Sequence, residues 1–174
     1  MLAGGSWSAG LLRTLGLRLP LEPGKGYSLT HPNPRQLPQL PSVLVEASLA
    51  VTPMGTALRI GGTMELSGMR SADRPERVRQ LVDGFVESFP DFRAQDFHRV
   101  APWRGLRPCS PDGLPYIGRL ARFENLSVAT GHAMLGVSLA PITGELVAQL
   151  LSDEKPSLAL EGLSPNRYLA RAGS

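Results

Sequence analysis

The chain has 174 residues, of which 42% are hydrophobic and 19% are charged, and its 18 lysines and arginines against 15 aspartates and glutamates give a net charge of +3. These values are ordinary for a globular protein and exclude a disordered or fibrous chain. The positive charge is dispersed without a basic run, which argues against nucleic acid as a partner. The single cysteine, Cys109, cannot form an internal disulfide and is typical of a reducing compartment. We therefore expect a cytoplasmic protein, with peripheral membrane contact left open.

The first twenty residues predict the end of a strand, a glycine turn and a short helix. Trp7, Leu11, Leu12 and Leu15 give this helix an apolar side, and Gly16 stands where a helix usually stops. Two residues are too few for a strand, so we expect that part of a domain precedes this segment.

Residues 20–66 have a β pattern. Three short runs rich in β-branched residues, GKGYSLT, SVLVEAS and TALRIGGTMEL, are separated by proline and glycine clusters. Pro53-Met54-Gly55 has the composition of a hairpin connection. The pattern predicts an antiparallel meander.

A helix is expected after the meander, starting with Asp73 and Glu76 as a capping pair. Its apolar residues repeat at helical spacing and are Val78, Leu81, Val82, Phe85, Val86 and Phe89. We expect this helix to lie on the sheet.

The last third predicts short strands, turns and a final helix. HRVAPWRGLRP, LPYIG and NLSVATG are expected to be strands, with a Pro-Asp-Gly turn at 111–113. A helix is expected from about Leu139 to Leu151, which puts Pro141 in its first turn, where proline is tolerated. Its expected buried side consists of Leu139, Ile142, Leu146, Val147 and Leu150. Residues 153–174 are expected to form a loosely packed tail.

Several common sites are not predicted. His31, His98 and His132 lack metal-binding spacing, and Cys109 adds no second thiolate, so no metal site is expected. Cys109 also has no adjacent base to activate it. GKGYSL begins the dinucleotide-binding pattern Gly-x-Gly-x-x-Gly but fails at the third glycine.

Two groups remain as candidate binding residues. Arg107 lies in an otherwise apolar strand, where its planar guanidinium suits a bidentate contact with a carboxylate; spacing alone favours a surface arginine in an edge strand. In ATGHAMLGVSLAPITGELV a strand ends at Gly131, and Gly136 comes just before a helix. Glycines let a ligand approach backbone amides, and the start of a helix offers N–H groups to an anion or an electron-rich ring. A purely structural turn is at least as good an explanation.

Three segments carry a resemblance to a known family. LAGGSWSAGLLRTLGLRLPLEPGKGYSLT, WRGLRPCSPDGLPYIG and NLSVATGHAMLGVSLAPITGELVAQLL resemble, in this order, the carboxyl-terminal half of the FAD-dependent D-amino acid dehydrogenase and glycine oxidase family. The resemblance implies a partial α+β fold, in which an antiparallel substrate-domain sheet with a packed helix accompanies the carboxyl-terminal portion of a Rossmann-like FAD domain. The implied organisation is residues 1–19 in the FAD domain, 20–104 in the substrate domain, 105–152 back in the FAD domain with its last helix, and 153–174 as the tail.

The resemblance also implies roles for individual residues. Arg107 matches the position that binds the substrate carboxylate, while Tyr27 and Tyr116 could each donate a hydroxyl to the substrate or simply pack. The residues that match FAD-binding positions are Gly4, Trp7, Gly131, His132, Met134, Leu135, Gly136, Val137 and Ser138. Amides near Val137 and Ser138 would face the pyrimidine oxygen of the flavin.

The implied reaction is oxidative deamination of a small D-amino acid, or a related amino acid, by hydride transfer to FAD. Met134 and Leu135 stand where oxidases of the family often carry arginine and asparagine, which favours a dehydrogenase over the alternative, a glycine- or sarcosine-type oxidase. A non-catalytic substrate-domain module is a further alternative. Another is a subunit that completes a flavin site with a separate amino-terminal half. Because the chain lacks Gly-x-Gly-x-x-Gly, we expect that half to be needed in cis or in trans, that the chain alone binds FAD poorly, and that apolar surface is exposed.

Overall fold

A computed structural model describes residues 1–168, which fold into three α-helices and seven strands. The helices are α1 (Ser8–Thr14), α2 (Pro75–Ser88) and α3 (Gly136–Leu151). The strands are β1 (Glu22–His31), β2 (Ser42–Leu44), β3 (Leu49–Met54), β4 (Ala57–Leu66), β5 (Trp103–Cys109), β6 (Tyr116–Arg119) and β7 (Ser127–Thr130). Within these residues, no helix is both long and apolar enough to span a bilayer.

The chain divides into two compact units. Unit 1 consists of Met1–Gly24 and Arg107–Ser174, and unit 2 consists of Lys25–Leu106. Their assignment to the FAD and substrate domains stays a prediction.

Unit 2 is built on a sheet with strand order β2-β3-β4-β1-β5. β3 and β4 pair antiparallel from Leu49↔Gly62 to Met54↔Ala57, and β2 pairs antiparallel with β3. The antiparallel meander is therefore confirmed, but its hairpin loop is Gly55–Thr56. The prediction of Pro53-Met54-Gly55 was wrong because Pro53 and Met54 are both paired within β3.

The run SVLVEAS is a strand followed by a turn, and the expectation of one continuous strand was wrong. β2 ends at Leu44, and the Ser48 N–H donates to the Val45 carbonyl at 3.1 Å. Ser48 has φ of 52°, which reverses the chain into β3.

Helix α2 covers one face of this sheet, as predicted. Leu81, Val82 and Phe85 pack on an apolar set from the strands, which consists of Leu29, Leu49, Val51, Leu58 and Ile60. The Phe85 ring is fully buried and lies 4.8 to 5.5 Å, centroid to centroid, from the rings of Phe89, Phe92 and Phe97. This aromatic cluster is the centre of the unit 2 core.

The predicted capping pair of α2 does not form. Pro75 occupies the first helical position, so Arg74 is the cap residue and makes no side-chain cap. Asp73 instead pairs with Arg104 at 2.7 Å, and Glu76 pairs with Arg79.

Unit 1 joins both ends of the chain around the β6–β7 hairpin. β6 and β7 are antiparallel, and Leu2 forms a parallel bridge to Val128 of β7, which is the strand end expected at the start of the chain. A core cluster packs around this hairpin and contains Leu12, Leu17, Leu19, Tyr116, Leu120 and Val128.

Helix α3 begins at Gly136, three residues before the predicted start at Leu139. Pro141 therefore lies inside the helix and not in its first turn. Of the expected buried side only Leu146 is buried, while Leu139, Ile142, Val147 and Leu150 are half-buried. A helix as apolar as α3 normally lies inside a protein. Because most of its apolar side chains are only half-buried, unit 1 leaves part of the apolar surface of α3 uncovered.

The expectation of a loosely packed tail was wrong for residues 164–168, whereas most of residues 153–162 are exposed; residues 169–174 lie outside the described part. Arg167 donates to both carboxylate oxygens of Asp112, at 2.9 and 3.0 Å, and to the carbonyls of Leu114, Pro115 and Ser164. Its guanidinium also stacks on the Tyr116 ring, 4.0 Å from the centroid. The segment is thus clamped on the Pro-Asp-Gly turn.

This clamp predicts an acid-sensitive contribution to stability. Hydrogen bonds from Arg167, and then from the Leu114 amide, hold the pKa of the Asp112 carboxyl well below its usual range. A carboxyl whose pKa is lower in the folded protein than in the unfolded chain stabilises the fold fully at pH values above its pKa in the unfolded chain, about 3.9. This stabilisation is lost as the pH falls through the pKa of the folded protein. In urea unfolding, the stability advantage of the wild type over Asp112→Asn is expected to be larger at neutral pH than at about pH 3.

Asp153→Asn is the matched control. Asp153 also pairs with an arginine, Arg119, but its side chain is 85% exposed, so its effect should be small at either pH. An Asp112→Asn difference that does not change with pH would contradict this explanation.

Candidate functional site

The strand that carries Arg107 is paired with the loop that follows β7. The Ala133 N–H donates to the Pro108 carbonyl at 2.9 Å, and Cys109 forms an antiparallel bridge with His132. The end of this strand from Arg107 onward and the loop both belong to unit 1. The structure therefore brings together the two groups that the sequence singled out, and Arg107 itself is half-buried.

The loop 131–138 has a constrained backbone at its start. Gly131 has φ of 87°, and a Cβ there would lie 3.1 Å from Cδ2 of Tyr116. Any side chain at this position would be strained and crowded, which explains the glycine. Ala133 also has positive φ, 46°, and the Leu135 N–H donates to the His132 carbonyl to close the turn.

Helix α3 begins directly after this turn without a side-chain cap. The first-turn amides of such a helix carry partial positive charge and have no helical acceptor. Around them three apolar side chains are exposed, Met134, Leu135 and Val137, the last 91% exposed, together with the polar Ser138. An apolar surface beside amide donors suits a flat ring with an electron-rich edge.

His132 links the loop to helix α3. Its Nε2 lies 3.0 Å from the Thr143 hydroxyl of α3, and burial lowers the pKa of the imidazole. With its pKa lowered, His132 is mainly neutral at neutral pH, and its contact with Thr143 joins the loop to the helix.

The glycine turn at the start of the chain lies beside the end of β7. The Thr130 hydroxyl donates to the Gly5 carbonyl at 3.0 Å, and the Trp7 N–H donates to the Gly4 carbonyl. The side chains of Trp7, Leu11 and Leu15 are 59%, 51% and 44% exposed. Of the predicted apolar side of this helix, only Leu12 is therefore buried. The Gly4–Trp7 turn thus adds further apolar surface next to the loop 131–138.

Tyr116 is fully buried, and its hydroxyl donates to the Pro20 carbonyl at 2.8 Å. Burial raises the pKa of Tyr116 to about 12. The hydroxyl is already engaged inside unit 1, which favours packing over contact with a substrate.

Tyr27 belongs to unit 2 and is buried there. Its hydroxyl accepts from the Arg74 N–H at 3.1 Å, while the buried Lys25 Nζ donates to the carbonyls of Ser71 and Ala72. Both side chains hold the segment that leads into α2. A role of Tyr27 toward a substrate stays a prediction.

The described residues fit one end of a flavin. The Gly4–Trp7 turn and the loop 131–138 provide close backbone approach, apolar surface and amide donors for an isoalloxazine ring. A Gly-x-Gly-x-x-Gly turn for the diphosphate does not occur in the chain.

Sequence analysis missed Arg167. Arg167 had no local signal, because its partner Asp112 is 55 residues away.

Comparison with known proteins places these features in a family. Residues 1–150 match the family model DAO, described as FAD dependent oxidoreductase. The D-amino acid dehydrogenase of Bradyrhizobium diazoefficiens is 38% identical over 175 residues, which cover 99% of this chain and 41% of the relative. The D-amino acid dehydrogenase of Methylobacterium radiotolerans is 39% identical over 168 residues, which cover 95% of this chain and 39% of the relative. The chain thus spans about two fifths of the length of these relatives.

Solved structures show the same similarity. Glycine oxidase from Geobacillus kaustophilus superposes with a TM-score of 0.78 at 30% identity, covering 94% of this chain and 44% of that one. Iminodiacetate oxidase from Chelativorans also gives a TM-score of 0.78, with the same coverage at 22% identity, which shows the fold alone. The expectation of a partial α+β flavoenzyme fold is confirmed.

Proposed function

The chain belongs to the DAO family of FAD-dependent oxidoreductases, and from that membership we propose that it is the carboxyl-terminal part of a D-amino acid dehydrogenase. The resemblance found in the three sequence motifs is thereby confirmed at the level of the family. The family acts on amino acids; the D-amino acid substrate and the dehydrogenase activity are the proposal.

One observation supports this proposal more than any other. β5 presents Arg107 immediately before Pro108, whose carbonyl accepts from Ala133 in the loop 131–138. The residue proposed to bind the carboxylate thus precedes a residue whose backbone is bonded to the loop proposed for the flavin.

In the proposed mechanism Arg107 binds the α-carboxylate of the substrate through two parallel hydrogen bonds. This contact fixes one end of the amino acid, and orientation of a bound substrate supplies a large part of the rate. When bound, FAD supplies the acceptor for the hydride removed from the substrate α-carbon. The product is an imino acid, which water hydrolyses to a keto acid and ammonia.

The residues that would hold the cofactor are those of the Gly4–Trp7 turn and the loop 131–138. Amides near Val137 and Ser138 at the start of α3 are the donors for the electron-rich edge of the ring. Neutral His132 adds no positive charge beside them.

The chain alone is expected to retain little FAD, because it has no diphosphate-binding turn. The exposed side chains of Trp7, Leu11, Val137 and Leu151 mark apolar surface that a preceding half of the protein would cover. Purified chain should show almost no visible flavin absorbance, and the same chain joined to or co-expressed with an amino-terminal half should be yellow. Near-stoichiometric flavin in the chain alone would contradict this expectation.

A second candidate is a glycine-type oxidase, favoured by the likeness to the solved glycine oxidase at 30% identity. Turnover by the completed protein, measured with an artificial electron-accepting dye and by oxygen consumption, separates the two. We expect dye reduction with D-amino acids and little oxygen consumption. Rapid oxygen consumption would favour the oxidase, and no turnover of any amino acid would favour a non-catalytic module.

A further inference from the structure

The carboxyl-terminal segment, which we define as residues 164–168, packs on strand β6. Pro165 lies directly against Gly118, where a Cβ would come within 2.9 Å of the proline Cδ. The Asn166 side chain accepts from the Ala121 N–H at 2.9 Å, just beyond the end of the strand. The segment and the strand both belong to unit 1.

Arg167 holds the start of β6 and the chain that leads into it. Its guanidinium lies 4.0 Å from the centroid of the Tyr116 ring and donates to both carboxylate oxygens of Asp112. It also donates to the carbonyls of Leu114 and Pro115, at 2.7 and 3.3 Å. A guanidinium can make all these contacts at once, because its donors lie in one plane and its face stays free for the ring.

Tyr116 connects this contact to the loop 131–138. It pairs with Thr130, the last residue of β7, and a Cβ at Gly131 would lie 3.1 Å from its Cδ2 atom. The Tyr116 side chain is fully buried, and its hydroxyl donates to the Pro20 carbonyl. Because closely packed interiors transmit displacements, a shift of this ring is passed to the backbone at Gly131.

The loop depends on such support. Ala133 has φ of 46°, which is strained for a residue with a Cβ and persists only where its surroundings fix it. The Ala133 N–H donates to the Pro108 carbonyl, and the Leu135 N–H donates to the His132 carbonyl. Both hydrogen bonds break when the loop opens, so these two amides report on its conformation.

We propose that Arg167 is a positioning residue for the loop 131–138 and acts on it through the Tyr116 ring. The binding of flavin by this loop rests on the proposed function. The inference extends the support of the flavin site to a segment that lies after the residues matched by the family model, 1–150.

Hydrogen exchange of single amides, followed by NMR in the chain alone, tests the proposal without any flavin. We expect Arg167→Gln to speed exchange of the Ala133 and Leu135 amides by about tenfold, because the supporting ring loses its guanidinium. The Leu17 N–H, which donates to the Leu12 carbonyl elsewhere in unit 1, is the internal reference and should be unchanged. Unchanged exchange of the loop amides, or equal acceleration at Leu17, would overturn the proposal.

Asn166→Ala is the matched control. It removes the bond from the Ala121 N–H and the bond to the Arg119 carbonyl, at 2.9 and 2.8 Å, which lie at the other end of β6 from Tyr116. Loop exchange should therefore stay as in the wild type. Acceleration as large as in Arg167→Gln would show that the segment only stabilises unit 1, against the proposal.

FAD affinity of the completed protein, measured by titration of flavin absorbance, tests the link to the cofactor. Arg167→Gln should weaken FAD binding by about tenfold, whereas Asn166→Ala should match the wild type. Arg167→Lys keeps the charge but loses the planar fork, so it should recover part of the loss. Should Arg167→Gln unfold, Arg167→Lys carries both comparisons, with smaller effects expected. Wild-type FAD affinity in the folded Arg167 variants would overturn the proposal.

The positioning role and the proposed function can fail independently. Faster loop exchange in Arg167→Gln, with no FAD bound by the completed wild-type protein, would refute the proposed function and leave the positioning of the loop by Arg167. Reduction of bound FAD by a D-amino acid, with loop exchange and FAD affinity both unchanged in Arg167→Gln, would refute the positioning role alone.

Discussion

Replacing Arg107 with leucine is expected to lower kcat/KM of the completed protein for its amino acid substrate by about 10²- to 10³-fold, equivalent to about 3 to 4 kcal/mol. In the proposed mechanism the variant removes both hydrogen bonds to the α-carboxylate and leaves that charge without its partner. Arg107→Lys keeps the charge but not the bidentate geometry, and about a tenfold loss is expected.

Arg18→Leu is the control for removal of an arginine from unit 1. Arg18 is exposed on the surface, so its kcat/KM should equal that of the wild type. The measurement is dye reduction over a range of substrate concentrations, with flavin content checked for each variant. Wild-type kcat/KM in a folded, flavin-loaded Arg107→Leu protein would show that another group binds the carboxylate.

Replacing Phe85 with alanine is expected to destabilise unit 2 by about 3 to 5 kcal/mol. Its fully buried ring contacts three other aromatic rings, so truncation removes buried apolar surface and leaves a cavity at the centre of the core. Phe85→Leu fills part of that space and should cost less.

Urea unfolding in the Trp7→Phe background measures this effect, because Trp103 then reports on unit 2 alone. Val43→Ala is the control, since that β2 side chain is 74% exposed and should change stability by no more than about 0.5 kcal/mol. A Phe85→Ala effect as small as that of Val43→Ala would mean that unit 2 is loosely packed.

Features with a local cause could be predicted from the sequence. The apolar repeat from Val78 to Phe89 gave α2 correctly, because the period that places residues on one helical face is visible within a few turns. Gly131 was identified for the same reason, since a strand, a glycine and a helix follow one another in the chain.

Features that depend on distant partners could not be predicted. Asp73 was expected to cap α2, but Arg104, 31 residues away, binds it instead. The contacts of Arg167 span more than 50 residues, and nothing near position 167 indicates them. The backbone pairing of Pro108 with Ala133 is also non-local, so the residue pattern alone does not predict it.

The start of α3 was misplaced for a different reason. The apolar repeat begins at Leu139, and neither Gly136 nor the exposed Val137 extends it toward the amino terminus. A start predicted from this repeat is therefore three residues later than the observed start at Gly136. The side chains that break the pattern belong to the surface proposed for the flavin.

The most direct test of the proposed function is anaerobic mixing of the flavin-loaded, completed protein with D-amino acids. The account predicts that the visible flavin band bleaches with a D-amino acid, that the L-enantiomer has little effect, and that Arg107→Leu slows bleaching by about two to three orders of magnitude. A flavin band that stays unchanged with every amino acid, or that bleaches equally fast in Arg107→Leu, would contradict it.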